Sequence, residues 1–147
     1  MIYVLYGQPA AGKTTLGKLL ADSLDTPFII DGDEFRKMFT LRATDEYGRG
    51  GREENIKNAN AVATYLQKKS YPRGHVVMCL VNPYEHLRKE LKNNNKNQVT
   101  EVLLLSNRSM KKEYHVEDFE MGEPDHTLST NKEEAFTWNE LRKLLKV

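Results

Sequence analysis

Eight residues, Gly7-Gln8-Pro9-Ala10-Ala11-Gly12-Lys13-Thr14, constrain this chain more than any other stretch. They follow the pattern G-x-x-x-x-G-K-[ST], and each fixed position has a physical reason. Gly7 and Gly12 allow backbone angles that turn successive N–H groups toward an anion. Lys13 reaches the β- and γ-phosphates of a nucleotide, and the Thr14 hydroxyl suits a magnesium ion. A helix that begins at the motif adds its positive end. The required context is present: Ile2 to Tyr6 is apolar and β-rich before the motif, and Leu16, Leu19, Leu20 and Leu24 recur at helical spacing after it. Gly7, Gln8, Pro9, Ala10, Ala11, Gly12, Lys13, Thr14 and Thr15 are therefore the candidate ATP-binding loop, with ATP and Mg2+ as the implied cofactors.

Further along, strand and helix patterns alternate. The spacing predicts strands over 28–30, 75–81, 100–105 and 126–128, and helices over about 13–24, 33–39, 53–70 and 84–92. A loop rich in Gly and Arg is expected at 47–52, a polar turn at 93–98, and a charged stretch of little periodicity at 107–125. A closing helix should follow a cap at Thr130 or Asn131, with Phe136, Leu141, Leu144 and Leu145 as its apolar face. This alternation implies an α/β, P-loop NTPase fold: a parallel sheet of about five strands with helices on both faces. No linker or internal repeat divides the chain, so 1–147 reads as one kinase domain with a possible lid at 107–125.

Composition narrows the classes. The 147 residues are 39% hydrophobic and 29% charged with a formal net charge of +1, a globular balance whose overall field does not favour duplex nucleic acid. No apolar run approaches the ~20 residues of a membrane-spanning helix. The first residues run straight into the loop motif, leaving no room for a cleaved leader. Cys79, the single cysteine, lies in the apolar run VVMCLV and reads as a buried, inert thiol. A reducing, cytoplasmic setting is the expectation. The four histidines are scattered without metal-ligand spacing, and Trp138 reads as core packing.

A phosphate loop alone does not separate a kinase from a GTPase or a motor. No Asn-Lys-x-Asp tetrad is present to read guanine, and polar residues cluster just beyond the other strand ends. Asp31 and Asp33 follow the second strand, Arg36 lies one turn after Asp33, and Arg52 and Asn55 are three apart at the start of the next helix. Two arginines and an amide beside a carboxylate suit an acceptor carrying anionic groups and one hydroxyl. A carboxylate, Asp31 or Asp33, can orient or deprotonate that hydroxyl while Lys13 balances charge on the moving phosphoryl group. Solvated helix charges are the bland alternative for each arginine.

Taken together, GQPAAGKTT at 7–15, DGDEFR at 31–36, REENIKNA at 52–59 and LVNPYEHLR at 80–88 resemble the adenylylsulfate kinase family, in its order and with similar spacing. The resemblance implies ATP-dependent phosphorylation of the 3′-hydroxyl of adenylyl sulfate, in sulfate assimilation. It would place Asp33, Arg36, Arg52 and Asn55 on the substrate, Tyr47 on its adenine, and Val81 and Asn82 along the same pocket. The family's third strand ends Ile-Ser-Pro; here Val81-Asn82-Pro83 closes any route through a phosphoserine. Its lid sequence is replaced by SNRSMKKEYHVEDFE, in which Arg108, Lys111 and Lys112 are candidate lid cations over ATP. The family tends toward dimers, leaving a homodimer open.

Two other readings use the same residues. A kinase acting on a nucleic-acid hydroxyl would exploit an altered, more open lid. A nucleotide-binding module that transfers nothing would keep the loop but would not need Asp33, Arg36, Arg52 and Asn55.

Overall fold

In the computed structural model, which describes residues 1–40, 47–110 and 115–147, five parallel strands form one sheet in the order β2-β3-β1-β4-β5. The strands are β1 (Ile2–Tyr6), β2 (Ile29–Asp31), β3 (Val76–Leu80), β4 (Val99–Leu105) and β5 (His126–Ser129). The helices are α1 (Lys13–Ser23), α2 (Gly32–Arg36), α3 (Arg49–Ser70), α4 (Glu85–Asn94) and α5 (Glu134–Leu145), with a 3-10 turn at Asn107–Met110. This is the P-loop NTPase fold expected from the alternation.

The sheet is covered on both faces, which is why its central strands are apolar throughout rather than alternating. Period-2 geometry sends Ile2, Val4 and Tyr6 to one side with Met78, Leu80 and Leu103, under Ile56, Ala59 and Ala63 of α3 and Leu87 and Leu91 of α4. Tyr3 and Leu5 point the other way with Val77, Cys79, Val102 and Leu104, under Leu16 and Leu20 of α1 and Leu141 of α5. Burying each of these Leu, Ile and Val side chains contributes about 1.5–3 kcal/mol. Cys79 is buried as expected, and desolvation pushes its thiol up to about 12.

Several local expectations are corrected. The Gly-Arg segment at 47–52 is not a loop to its end: α3 starts at Arg49, so Gly50 and Gly51 are helical. Glycine is a poor helix former, yet α3 takes in both residues, and Gly51 is buried there. The 93–98 turn begins later than expected, because α4 runs on to Asn94, and the buried Asn95 anchors it by donating to Thr64 Oγ1 (2.8 Å) and the Leu91 carbonyl (3.0 Å). Neither Thr130 nor Asn131 caps α5, whose cap residue is Glu133 without a side-chain hydrogen bond. Thr130 is instead buried, donating to the Ala11 carbonyl at 2.8 Å, and Asn131 accepts from the Asn107 N–H at 2.7 Å. On α5, Leu141 is buried, whereas Phe136 and Leu144 are exposed. Trp138 and Leu145 pack against the core from part-buried positions, and Lys132 lies over the Phe136 ring at 4.4 Å.

Candidate functional site

The loop after β1 is held in shape from three directions. Gly12 sits in the left-handed region (φ 88) as the cap of α1, and a Cβ at Gly7 would collide with the Leu104 carbonyl oxygen. Those two constraints are why glycine occupies the fixed positions. The Gly7 N–H donates to the Val81 carbonyl (3.3 Å), and the Ala11 N–H donates to the Gln8 carbonyl (3.2 Å). Ala11 is buried in the core, and Arg108 Nε donates to the Ala10 carbonyl at 3.4 Å. Gln8 is pinned from outside: its amide nitrogen donates to the Val116 carbonyl and its amide oxygen accepts from the Val116 N–H, both at 2.8 Å.

A pocket of about 310 Å³ opens over this loop, lined by Pro9, Ala10, Gly12, Lys13, Thr14 and Thr15 together with Asp31 and Asp33. Lys13 does not reach outward. Its ammonium donates to the carbonyls of Gly7 (3.1 Å) and Gln8 (2.8 Å), and burial pushes its pKa down to about 8. Thr14 Oγ1 donates to Asp31 Oδ2 at 2.5 Å, while Asp31 Oδ1 accepts from the N–H groups of Asp33 (3.1 Å) and Glu34 (3.3 Å) as the cap of α2. Asp31 is thereby fixed over the loop. Asp33, whose side chain is 91% exposed, ion-pairs only at 3.8 Å with Arg36 Nη1.

A second cleft, of about 730 Å³, adjoins the first and shares Pro9, Gly32, Asp33, Leu80 and Val81 with it. Arg36, Tyr47, Arg52 and Asn82 line only this cleft. The Arg36 guanidinium stacks over the Tyr47 ring at 4.5 Å, and its Nε is buried without a hydrogen-bond partner. Both side-chain polar atoms of Asn82 are likewise buried and unpartnered, on a residue held at φ 49. Asn55 stands apart from its predicted companions: it is buried, does not line the cleft, and donates from Nδ2 to the Gly32 carbonyl at 3.3 Å. Although three residues from Arg52 on the same helix, it is buried and braces the start of α2 through that bond.

The segment 115–125 crosses the strand ends as a strap. Val116 lies on Gln8. Phe119 stacks on Tyr6 (centroids 6.1 Å, 11° between planes), and the Tyr6 hydroxyl donates to the Met121 carbonyl at 2.6 Å. The buried Arg88 donates to the Asn82 carbonyl and to the Glu120 carbonyl, each at 2.6 Å, and ion-pairs with Glu101 at 3.6 Å. Asp118 accepts from Arg49 Nη1 (3.3 Å), Arg52 Nη1 (3.3 Å) and the Tyr84 hydroxyl (3.1 Å). Lys111 and Lys112, the other expected lid cations, lie outside the described residues.

Sequence reasoning missed Arg49, Tyr84, Arg88 and Asp118. Arg49 was within reach, lying one turn before Arg52 on the same helix. Asp118 was not, since it meets Arg52 across 66 residues of sequence in a stretch with no periodicity.

Residues 1–116 match the family model described as Adenylylsulphate kinase. Among solved structures, the APS kinase CysC of Mycobacterium tuberculosis in complex with AMPPNP and APS superposes with a TM-score of 0.77 at 20% identity, over 99% of this chain and 97% of that one. Shikimate kinase from Aquifex aeolicus vf5 superposes with a TM-score of 0.65 at 19% identity, over 99% and 96%. An adenylate kinase from Rickettsia akari (strain Hartford) is 31% identical over 85 residues, which are 52% of this chain and 39% of that protein. The chain thus spans well under half the length of that curated relative. At these identities the structural likenesses speak for the fold. Among the described residues no helix is long and apolar enough to cross a membrane.

Proposed function

The chain belongs to the adenylylsulfate kinase family of ATP-dependent P-loop kinases, and from that premise we propose that it transfers the γ-phosphoryl group of ATP to the ribose 3′-hydroxyl of adenylyl sulfate. One observation carries this reading: among the described residues, Asp33 is the only ionisable one that lines both clefts, between Lys13 and Thr14 on one side and Arg36 and Arg52 on the other. A carboxylate at that junction can take the proton of an acceptor hydroxyl facing the γ-phosphate. Asp31, held by Thr14 and the start of α2, is assigned a supporting role on the phosphate side.

In this mechanism the acceptor oxygen attacks the γ-phosphorus as Asp33 accepts its proton. The bond from phosphorus to the β–γ bridging oxygen breaks, and ADP leaves with that electron pair. Lys13 leaves the Gly7 and Gln8 carbonyls to hold the β- and γ-phosphates, and Arg108, bonded across the loop at Ala10, covers them. The Thr14 hydroxyl and the Asp31 carboxylate are hard oxygen donors of the kind magnesium prefers. Thr14 would hold the ion, with Asp31 beside it; when bound it neutralises phosphate charge. On the acceptor side, Tyr47 backed by Arg36 offers a stacking surface for the adenine, and Arg36 and Arg52 offer guanidiniums for the phosphosulfate. The Asn82 amide supports the same assignment. A buried unpaired amide costs about 1–3 kcal/mol per group, and that cost is recovered if a ligand satisfies it. Asn55 contributes through Gly32 rather than by contact. A reducing cytoplasmic location and a place in sulfate assimilation accompany this reading.

P-loop folds of this shape serve many acceptors, so the substrate must be tested at the site rather than taken from the fold. The experiment is incubation with labelled ATP and a panel of adenylyl sulfate, shikimate, adenosine monophosphate and oligonucleotides with free 5′-hydroxyls, followed by product identification. The expected product is 3′-phosphoadenylyl sulfate, with oligonucleotides competing poorly at physiological salt. Label on the oligonucleotides and none on adenylyl sulfate would overturn the proposal in favour of a nucleic-acid kinase.

A further inference from the structure

Arg52 lines the larger cleft, yet its guanidinium already faces a carboxylate. Asp118 Oδ1 lies 3.3 Å from Arg52 Nη1, while Asp118 Oδ2 takes Arg49 Nη1 at 3.3 Å and the Tyr84 hydroxyl at 3.1 Å. Two guanidiniums and a phenolic hydroxyl converging on one pair of oxygens form the kind of donor set that holds a sulfate or phosphate group. We propose that Asp118 is a specificity-determining residue of the acceptor site: its carboxylate is an internal ligand for Arg49 and Arg52, and the acceptor's anionic group binds there only by displacing it. This rests on the acceptor reading given above and adds the residue that sets how strongly the site takes an anion.

Two features of the strap argue that Asp118 is not simply its anchor. The strap has other fastenings on both sides of residue 118: the paired Gln8–Val116 hydrogen bonds, the Phe119–Tyr6 stack, the Tyr6–Met121 bond and the Arg88–Glu120 bond. The contacts of Asp118 are also the looser ones. Its side chain is 42% exposed and meets the arginines at 3.3 Å, whereas Arg88 is 3% exposed and reaches the Glu120 carbonyl at 2.6 Å. Charge-assisted bonds at full strength run nearer 2.7–2.9 Å. The latch is therefore weak enough for a ligand anion to replace, and close enough that a carboxylate left in place repels that anion.

The test is direct binding of adenylyl sulfate to the full chain by calorimetry, at low and physiological salt. Asp118→Asn is expected to bind roughly 3- to 10-fold more tightly than the unaltered chain, in the range that one or two part-exposed ion pairs are worth. Glu117→Gln, which removes an exposed charge one residue away, should leave affinity unchanged. The gain should vanish in an Arg52→Ala background, which separates a pairwise effect from a general loss of negative charge. Affinity for a non-hydrolysable ATP analogue should not move, whereas a strap loosened off Gln8 would change it. Equal or weaker binding by Asp118→Asn, a gain that survives loss of Arg52, or no binding by either chain would each overturn the inference. Product analysis separates the two proposals: tighter binding without phosphorylation keeps Asp118 and discards adenylyl sulfate as acceptor. Phosphorylation with unchanged binding does the reverse.

Discussion

The pocket over the phosphate loop and the cleft beside it are assembled differently. Six of the residues shaping the first fall between Pro9 and Thr15, and their backbone is set by local glycines, a buried Ala11 and the start of α1. The second takes Asp33 and Arg36 from α2, Arg52 from α3, Asn82 from the chain after β3, and Val116 from the strap. A site with its phosphate-holding half on one contiguous loop, and only Asp31 to Asp33 and the end of β3 added to it, tolerates change elsewhere in the chain better. A site made from four segments depends on whatever holds those segments together, and here much of that duty falls on Arg88, Tyr6 and Asn55.

The largest expected effect tests the local site. Lys13→Ala should lower phosphoryl transfer by about 1000-fold or more, the scale for losing a charged group that stabilises the transferring phosphate. The melting temperature should stay close to that of the unaltered chain, because among the described residues the ammonium bonds the neighbouring carbonyls of Gly7 and Gln8 alone. Near-normal turnover in a steady-state assay would remove the loop from the mechanism.

Arg88→Ala should do the opposite and damage the assembled site through stability. The change strips the Asn82 and Glu120 carbonyls of a donor and leaves the buried Glu101 with Lys92 (3.0 Å) as its remaining ion-pair partner. Breaking a buried pair in this way costs about 3–5 kcal/mol, read as a fall of roughly 10 °C in thermal unfolding. The unaltered melting temperature would mean that the strap is held without Arg88.

Next in size, Arg52→Ala is expected to cost about 2–4 kcal/mol in acceptor efficiency, roughly 30- to 1000-fold, with the KM for ATP nearly constant. Asn55→Ala should show a smaller loss, near 1 kcal/mol, spread over both substrates, because its bond to Gly32 braces the segment carrying both Asp31 and Asp33. If ATP affinity fell as far as acceptor efficiency in the arginine variant, the division into two subsites would be wrong.

The smallest effect is on pH. Burial lowers the Lys13 pKa from 10.5 to about 8, so between those values the unfolded chain binds more protons than the folded one. Folding stability attributable to this residue should therefore rise as pH increases from 8 to 10.5. ATP capture needs the ammonium and should run the other way, with kcat/KM for ATP about halved at pH 8 and falling roughly tenfold per unit above it. Lys13→Arg, charged throughout, should flatten both slopes. Parallel rather than opposed slopes would show that another group governs ATP capture.

Much of the fold was legible because its signals are short-range. The apolar run Ile2–Tyr6, the leucine spacing of α1 and the alternation of strands with helices each depend on neighbours a few residues apart, and β1 falls where the sequence put it. Helix ends were less legible. Gly50 and Gly51 read as a loop because local propensity disfavours them in a helix, yet α3 takes in both, with Gly51 buried. Thr130 read as a cap because its residue type commonly is one; burial against the loop gave its hydroxyl a stronger claim on the Ala11 carbonyl.

By itself, then, the sequence determined the phosphate loop and the parallel α/β architecture, and supplied the residue types of the proposed acceptor site, since these show as patterns among residues near one another in the chain. Which carboxylate stands between the two clefts was decided only in three dimensions: the Thr14 hydroxyl and the start of α2 claim Asp31, leaving Asp33 at the junction. The same holds for the inward turn of Asn55 and for the meeting of Asp118 with Arg49 and Arg52, 66 to 69 residues away. Long-range electrostatic pairing leaves no periodic trace in a chain, because the partners need share nothing but a position once the sheet has formed.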